Sequence, residues 1–177
     1  MWGARLALRE PQRVRSLVLM DASLEAEPDA TRLRYFAMLD AIEAAGSIVP
    51  PLLDAIVPLF FRPDVNLADP VPSAFRAALA KLPADRLRES IAPLGRLIFG
   101  RPDTLAALAD LDGERTLLMC GAGDMARPPS ETVKMASVIG CRHVLVPDAG
   151  HISNLENPAF VTRMLLDWFD EQQLAAG

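Results

Sequence analysis

The chain has 177 residues, enough for one domain with a sizeable core and few for two. A formal net charge of −5 and an isoelectric point near 5.0 argue against nucleic acid as a partner, because phosphate binding needs clustered Lys and Arg. The two cysteines, Cys120 and Cys141, lack C-x-x-C spacing and read as small buried hydrophobes, so no metal site and no cofactor is expected.

Trp2 to Arg9 reads as a short helix stopped by Pro11, since the residue before proline disfavours helical geometry. The start has no apolar run long enough for a secretory signal, and Arg5, Arg9, Arg13 and Arg15 come too early for one. Arg15 to Met20 follows as a strand, whose continuous Leu17-Val18-Leu19-Met20 run suits a parallel strand buried on both faces. Between Asp29 and Gly113 no strand is expected. Prolines at 50, 51, 58, 63, 70, 72, 83, 93 and 102 divide this stretch into short helices. One is capped at Asp29, turns Leu33, Phe36, Ala37 and Ile42 inward, and closes at Gly46. The most apolar stretch, Ile48 to Phe61, is broken by three prolines and Asp54 and falls short of the ~20 residues of a bilayer span. No membrane association is expected, and the cytoplasm is the default location.

After Gly113 strands and helices alternate, implying parallel pairing. Thr116 to Cys120 and Arg142 to Val146 read as strands, and Ser130 to Ile139 as a helix opened by Pro128-Pro129. A last helix, Pro158 to Gln172, has Asn157 as N-cap and should bury Phe160, Val161, Met164, Leu165, Trp168 and Phe169. Two apolar runs here stop at glycines and each deliver one ionisable side chain: Leu117-Leu118-Met119-Cys120-Gly121-Ala122-Gly123-Asp124, then Val144-Leu145-Val146-Pro147-Asp148-Ala149-Gly150-His151. Open parallel sheets place their ligands beyond the carboxyl ends of the strands, where Asp124 and His151 both lie. An imidazole that takes a proton from a nucleophile, with a carboxylate to fix its tautomer, is the chemistry this pair suits. Glycines 121, 123 and 150 would supply the sharp exits that turn the side chains inward.

Gly121 to Pro128 resembles the G-x-x-D-x-x-x-P acid loop of the α/β-hydrolase superfamily, and Pro147 to Pro158 its histidine loop. The likeness covers nearly the whole chain: Arg5 to Leu19 resembles the helix and strand that follow the nucleophile elbow, and the helical middle resembles an inserted cap. Within the superfamily the chain looks most like the capped lactonase and esterase-like branch that includes 3-oxoadipate enol-lactonases. The resemblance implies an α/β fold, the C-terminal part of an α/β-hydrolase fold, with about three parallel strands, flanking helices and a helical cap. Residues 1–23 would form a core helix and strand, 24–113 the cap and a return helix, and 114–177 the core elements carrying the acid and the histidine.

It also implies hydrolysis of a small ester or lactone, with Asp124 and His151 as catalytic residues, a small-molecule substrate and no cofactor. No G-x-S-x-G stands in the sequence, and the expected nucleophile falls on the order of four residues before Met1. Relatives with an aspartate nucleophile open epoxides or remove halide, so the absent elbow leaves that choice open. The chain alone is expected to be inactive, and the alternative is a non-catalytic fragment that self-associates through an uncovered sheet edge. A nucleotide-binding domain is disfavoured, since no G-x-G-x-x-G or P-loop follows a strand.

Simpler roles compete at each position. Asp124 also suits a turn or helix cap. Asp21 ends a strand and is an alternative acid, though a plain strand-end aspartate is the simpler reading. His143 lies inside a strand, Asp148 in a solvated turn, and Glu156 is placed to bond loop backbone or favour the last helix's N-terminus. Ser23 and Ser153 lack the small neighbours that a strained nucleophile turn requires.

Overall fold

The computed structural model describes residues 2–174, which form two compact units. The first comprises the described residues up to Leu24, Leu59–Val65, and those from Thr104 onward; the second comprises Glu25–Pro58 and Asn66–Asp103. Residues 59–65 and 104–113, assigned to the helical insertion from sequence, cluster with the strand-bearing unit.

In the first unit α1 (Trp2–Arg9) is followed by a 3-10 turn at Pro11–Arg13 and by β1 (Leu17–Met20), which covers the apolar run and is two residues shorter than the Arg15–Met20 strand expected. β1 pairs in parallel with β2 (Thr116–Gly121), and β2 with β3 (Arg142–Val146), so the sheet order is β1-β2-β3. Every residue of β2 is buried, as its central place demands, whereas β3 is largely exposed at one edge. Side chains alternate across the sheet. Leu17, Leu19 and Leu118 pack with Ala4 and Ala7 of α1 and with Met135, Ala136 and Ile139 of α7 (Pro129–Ile139). On the other face Leu117, Met119 and Val146 pack with Val161 and Trp168 of α9 (Pro158–Leu174).

Asn157 caps α9, its Oδ1 accepting the Phe160 N–H at 3.2 Å, and Pro158 begins the helix without a missing bond. The buried stripe is narrower than expected: Phe169, predicted inside, is 45% exposed. Val161 and Trp168 lie seven residues apart on one seam, and Phe169 is a further 100° around the helix, toward water. A one-turn helix, α8 (Ser153–Glu156), separates the histidine loop from α9.

The second unit is helical: α2 (Asp29–Ala45), α3 (Pro50–Ile56), α4 (Pro70–Ala80), α5 (Ala84–Arg86) and α6 (Ala92–Phe99). Its core joins Ile42, Ile48, Leu53 and Leu87. A wider π turn over Leu87–Ile91 links α5 and α6, just before Pro93, which has no N–H to give the preceding turn. Gly46 ends α2 at φ 63, as anticipated, but the buried face of α2 differs from the expected one. Leu39 and Ile42 are inside, while Leu33 is 64% exposed and Ala37 faces water. With apolar residues on several sides of α2, periodicity alone selects the wrong seam. Asp29 makes no side-chain cap and instead pairs with Arg32 at 2.9 Å. Glu27 and Arg101, 3% and 7% exposed by side chain, form a buried ion pair at 2.8 Å, and Arg101 Nη1 also donates to the Ile98 carbonyl.

Among the described residues no helix is long and apolar enough to cross a membrane.

Candidate active site

The two loops that leave β2 and β3 are bonded backbone to backbone. Ala122 N–H donates to the Val146 carbonyl and Gly123 N–H to the Ala149 carbonyl, each at 2.9 Å. Glycine is required here by close approach, and not by the positive φ that a sharp exit would suggest. A Cβ on Gly121 would fall 2.1 Å from the Gly150 carbonyl oxygen, and one on Gly150 would fall 2.4 Å from the Phe61 carbonyl carbon. Three backbone segments therefore cross at near-contact distance, and the side chains on either side of the crossing are forced together.

Asp124 and His151 are the result. Asp124 Oδ1 accepts the N–H groups of Ala126 and Arg127 at 2.9 and 2.8 Å, and Oδ2 lies 2.9 Å from His151 Nδ1. The aspartate thus fills the turn role and faces the imidazole at once, one oxygen for each. An ionised carboxylate only accepts, so the ring proton belongs on Nδ1 and the Nε2 lone pair is free. The Asp124 side chain is fully buried, whereas that of His151 is 23% exposed. The Phe60 ring lies against the imidazole, with centroids 5.5 Å apart and planes tilted by 58°. His151 opens into a hollow of about 540 Å³, whose lining includes Met20, Phe60, Ile152, Val161 and Leu165 along with Asp21.

Two more carboxylates hold the histidine loop. Glu156 accepts the Gly150 N–H at 2.7 Å and the Arg62 N–H at 3.2 Å, so it bonds loop backbone as the sequence suggested. Ile152 N–H also donates to the Phe60 carbonyl at 3.1 Å. Asp21 Oδ2 accepts the Ser153 hydroxyl at 2.6 Å, and Oδ1 the Gly121 N–H at 2.8 Å. Nothing in the local sequence announced the Ser153 or Phe60 contacts, because each partner lies far away along the chain.

The remaining candidates are elsewhere. His143 is exposed on β3, and Asp148 is exposed in a turn at φ 53. Ser153 is wholly buried and committed to Asp21, and Ser23 is also buried. Cys120 is buried beneath the site, its thiol pushed up to about 12 by burial and then by the nearby Asp124 and Asp21 charges, against a bond to Thr132. It is no thiolate nucleophile. Cys141 is likewise pushed up by burial.

A sequence model of the alpha/beta hydrolase family matches residues 2–164. A hydrolase from Pseudomonas aeruginosa PA01 is 28% identical, with a TM-score of 0.76 over 94% of this chain and 60% of its own. A thermophilic esterase from Thermogutta terrifontis is 22% identical, with a TM-score of 0.81 over 96% of this chain and 60% of its own. The enol-lactonase from Burkholderia xenovorans LB400 is 21% identical, with a TM-score of 0.75 over 95% of this chain and 61% of its own. The chain thus spans about three-fifths of the length of these solved structures.

Proposed function

Because this chain belongs to the alpha/beta hydrolase family, we propose that its Asp124–His151 pair serves hydrolysis of a small ester or lactone. The observation that carries the reading is the 2.9 Å contact between Asp124 Oδ2 and His151 Nδ1, which makes Nε2 the nitrogen to act as base, on a residue that lines the hollow. In this scheme Nε2 takes the proton of a serine as its Oγ attacks the substrate carbonyl, and returns it to the departing alkoxide. A water then repeats the cycle on the acyl intermediate, with the same nitrogen as base. Asp124 holds the ring in the required tautomer and stabilises the imidazolium. These 177 residues contain no G-x-S-x-G, so in this proposal the serine is supplied from outside them. The apolar side chains around His151 suit a substrate with an apolar body.

Ring ¹⁵N shifts at alkaline pH test the pair directly. The Nδ1–H tautomer is expected at His151, with a change to the Nε2–H form usual in water once Asp124→Ala removes the acceptor; an unchanged tautomer would sink the assignment. Short p-nitrophenyl esters test the nucleophile. The 177-residue protein is expected to show no turnover above that of His151→Ala, and turnover that His151→Ala abolishes would place a nucleophile inside the chain.

One observation favours a second reading, self-association. Among the described residues β1 has a strand partner on one side only, while Trp2 and Leu6, four apart on α1, are exposed. Size-exclusion chromatography with light scattering is expected to give a species larger than the 19.2 kDa chain. A monodisperse monomer with a cooperative melt excludes it.

A further inference from the structure

Asp21 ends β1 at φ 47, a left-handed conformation that aspartate tolerates better than most residues but that still costs energy. Its carboxyl group joins three elements. Gly121, whose N–H it accepts, is where the acid loop leaves β2, three residues before Asp124; Ser153, whose hydroxyl it accepts, follows His151 by two. Oxygens of Asp21 and Asp124 and the Cys120 sulfur lie within 4.8 Å of one another, and Asp21 lines the same hollow as His151.

We propose that Asp21 is a positioning residue for the pair, fixing the register in which the His151 ring meets Asp124. The inference rests on the reading of His151 as base and Asp124 as its orienting acid. A strand-end aspartate with no such duty would turn its carboxylate to water. This one is instead held where burial pushes its carboxyl above the usual range, against the bonds from Ser153 and Gly121 that favour the charged form. Asp124 adds to the rise and His151 opposes it; with Cys120 of β2, these are the titratable groups that act on Asp21. The sign of the linkage follows. A raised folded-state value means that Asp21 favours the fold below the ordinary carboxylate range, and that this contribution is lost as pH climbs through the folded value. The acid is therefore kept at a cost to stability near neutral pH, as expected of a residue that serves the site.

The test uses the whole ¹³C,¹⁵N-labelled protein and its two histidines, with exposed His143 as the internal reference. In the parent protein the His151 ring shifts should follow the titration of the Asp21 carboxyl carbon as a second inflection, absent at His143 and absent in Asp21→Asn. Asp21→Ala should raise the Nε2–H population of His151 roughly twofold or more, and Asp21→Asn, whose amide can still bond Gly121 and Ser153, should restore it. A folded Asp21→Ala protein with the parent tautomer and ring shifts overturns the proposal. Should Asp21→Ala not fold, Ser153→Ala decides, since it leaves Asp21 in place and removes only the link to the histidine loop. A shifted tautomer there supports the proposal, and an unchanged one overturns it. Failure of the base reading is separate: it shows as an unmoved tautomer in Asp124→Ala, with Asp21 intact.

Discussion

Replacing Gly121 with alanine is expected to destabilise the strand-bearing unit by about 3 kcal/mol, at the upper end of ordinary overpacking. The added methyl meets backbone on the far side, with the Gly150 oxygen at 2.1 Å and the Ala149 oxygen at 2.5 Å, and no side chain can rotate out of the way. The histidine loop must move instead, against the bonds from Gly123 N–H to the Ala149 carbonyl and from Gly150 N–H to Glu156. Loss of stability and loss of the Nδ1–H tautomer should therefore appear together. Urea denaturation followed by far-ultraviolet circular dichroism gives the first and ring ¹⁵N shifts the second. A variant with the parent's denaturation midpoint would show that the crossing is looser than the structure has it.

Glu27→Ala is expected to cost the helical unit about 3 to 5 kcal/mol, the usual consequence of removing one partner of a buried ion pair. Arg101 would be left with the Ile98 carbonyl and an uncompensated charge in a site where its side chain is 7% exposed. Glu27→Leu combined with Arg101→Met should recover most of that loss, because the penalty comes from the unpaired charge and not from the missing attraction. The double-mutant cycle by thermal or chemical denaturation reads the coupling, and near-additive single effects would show that the two groups do not act as a pair.

The sequence made some parts of the molecule plain because they are written locally. The end of α1 follows from Pro11, and the bounds of β3 follow from Gly140 and Pro147 on either side of it. The cap of α9 follows from Asn157-Pro158. The positions of Asp124 and His151 at strand ends were legible for the same reason. Other features depend on neighbours far along the chain. The face of α2 was misassigned at Leu33 because helical periodicity ranks seams and cannot say which one meets another helix. Phe169 is apolar and adjoins the buried stripe of its helix, yet it lies off the Val161–Trp168 seam and faces water. Gly121 and Gly150 drew attention as turn formers, and their real constraint, the approach of another backbone, leaves no local mark. The joining of Asp21 to Ser153 spans 132 positions.

Residues 59–65 carry a consequence for how the molecule assembles. Arg62 meets the Glu156 carboxylate across 94 positions, and Phe60 accepts the Ile152 N–H from a comparable distance. Such closures demand that most of the polypeptide be ordered before they return any energy, so they slow folding and gain little from local helix formation. During synthesis the short segment at 59–65 must wait, without its final partners, until the last strand and the loop beyond it have emerged. The corner that holds Asp124 and His151 is thus completed late in folding, and mild denaturing stress should open it before the strands behind it separate.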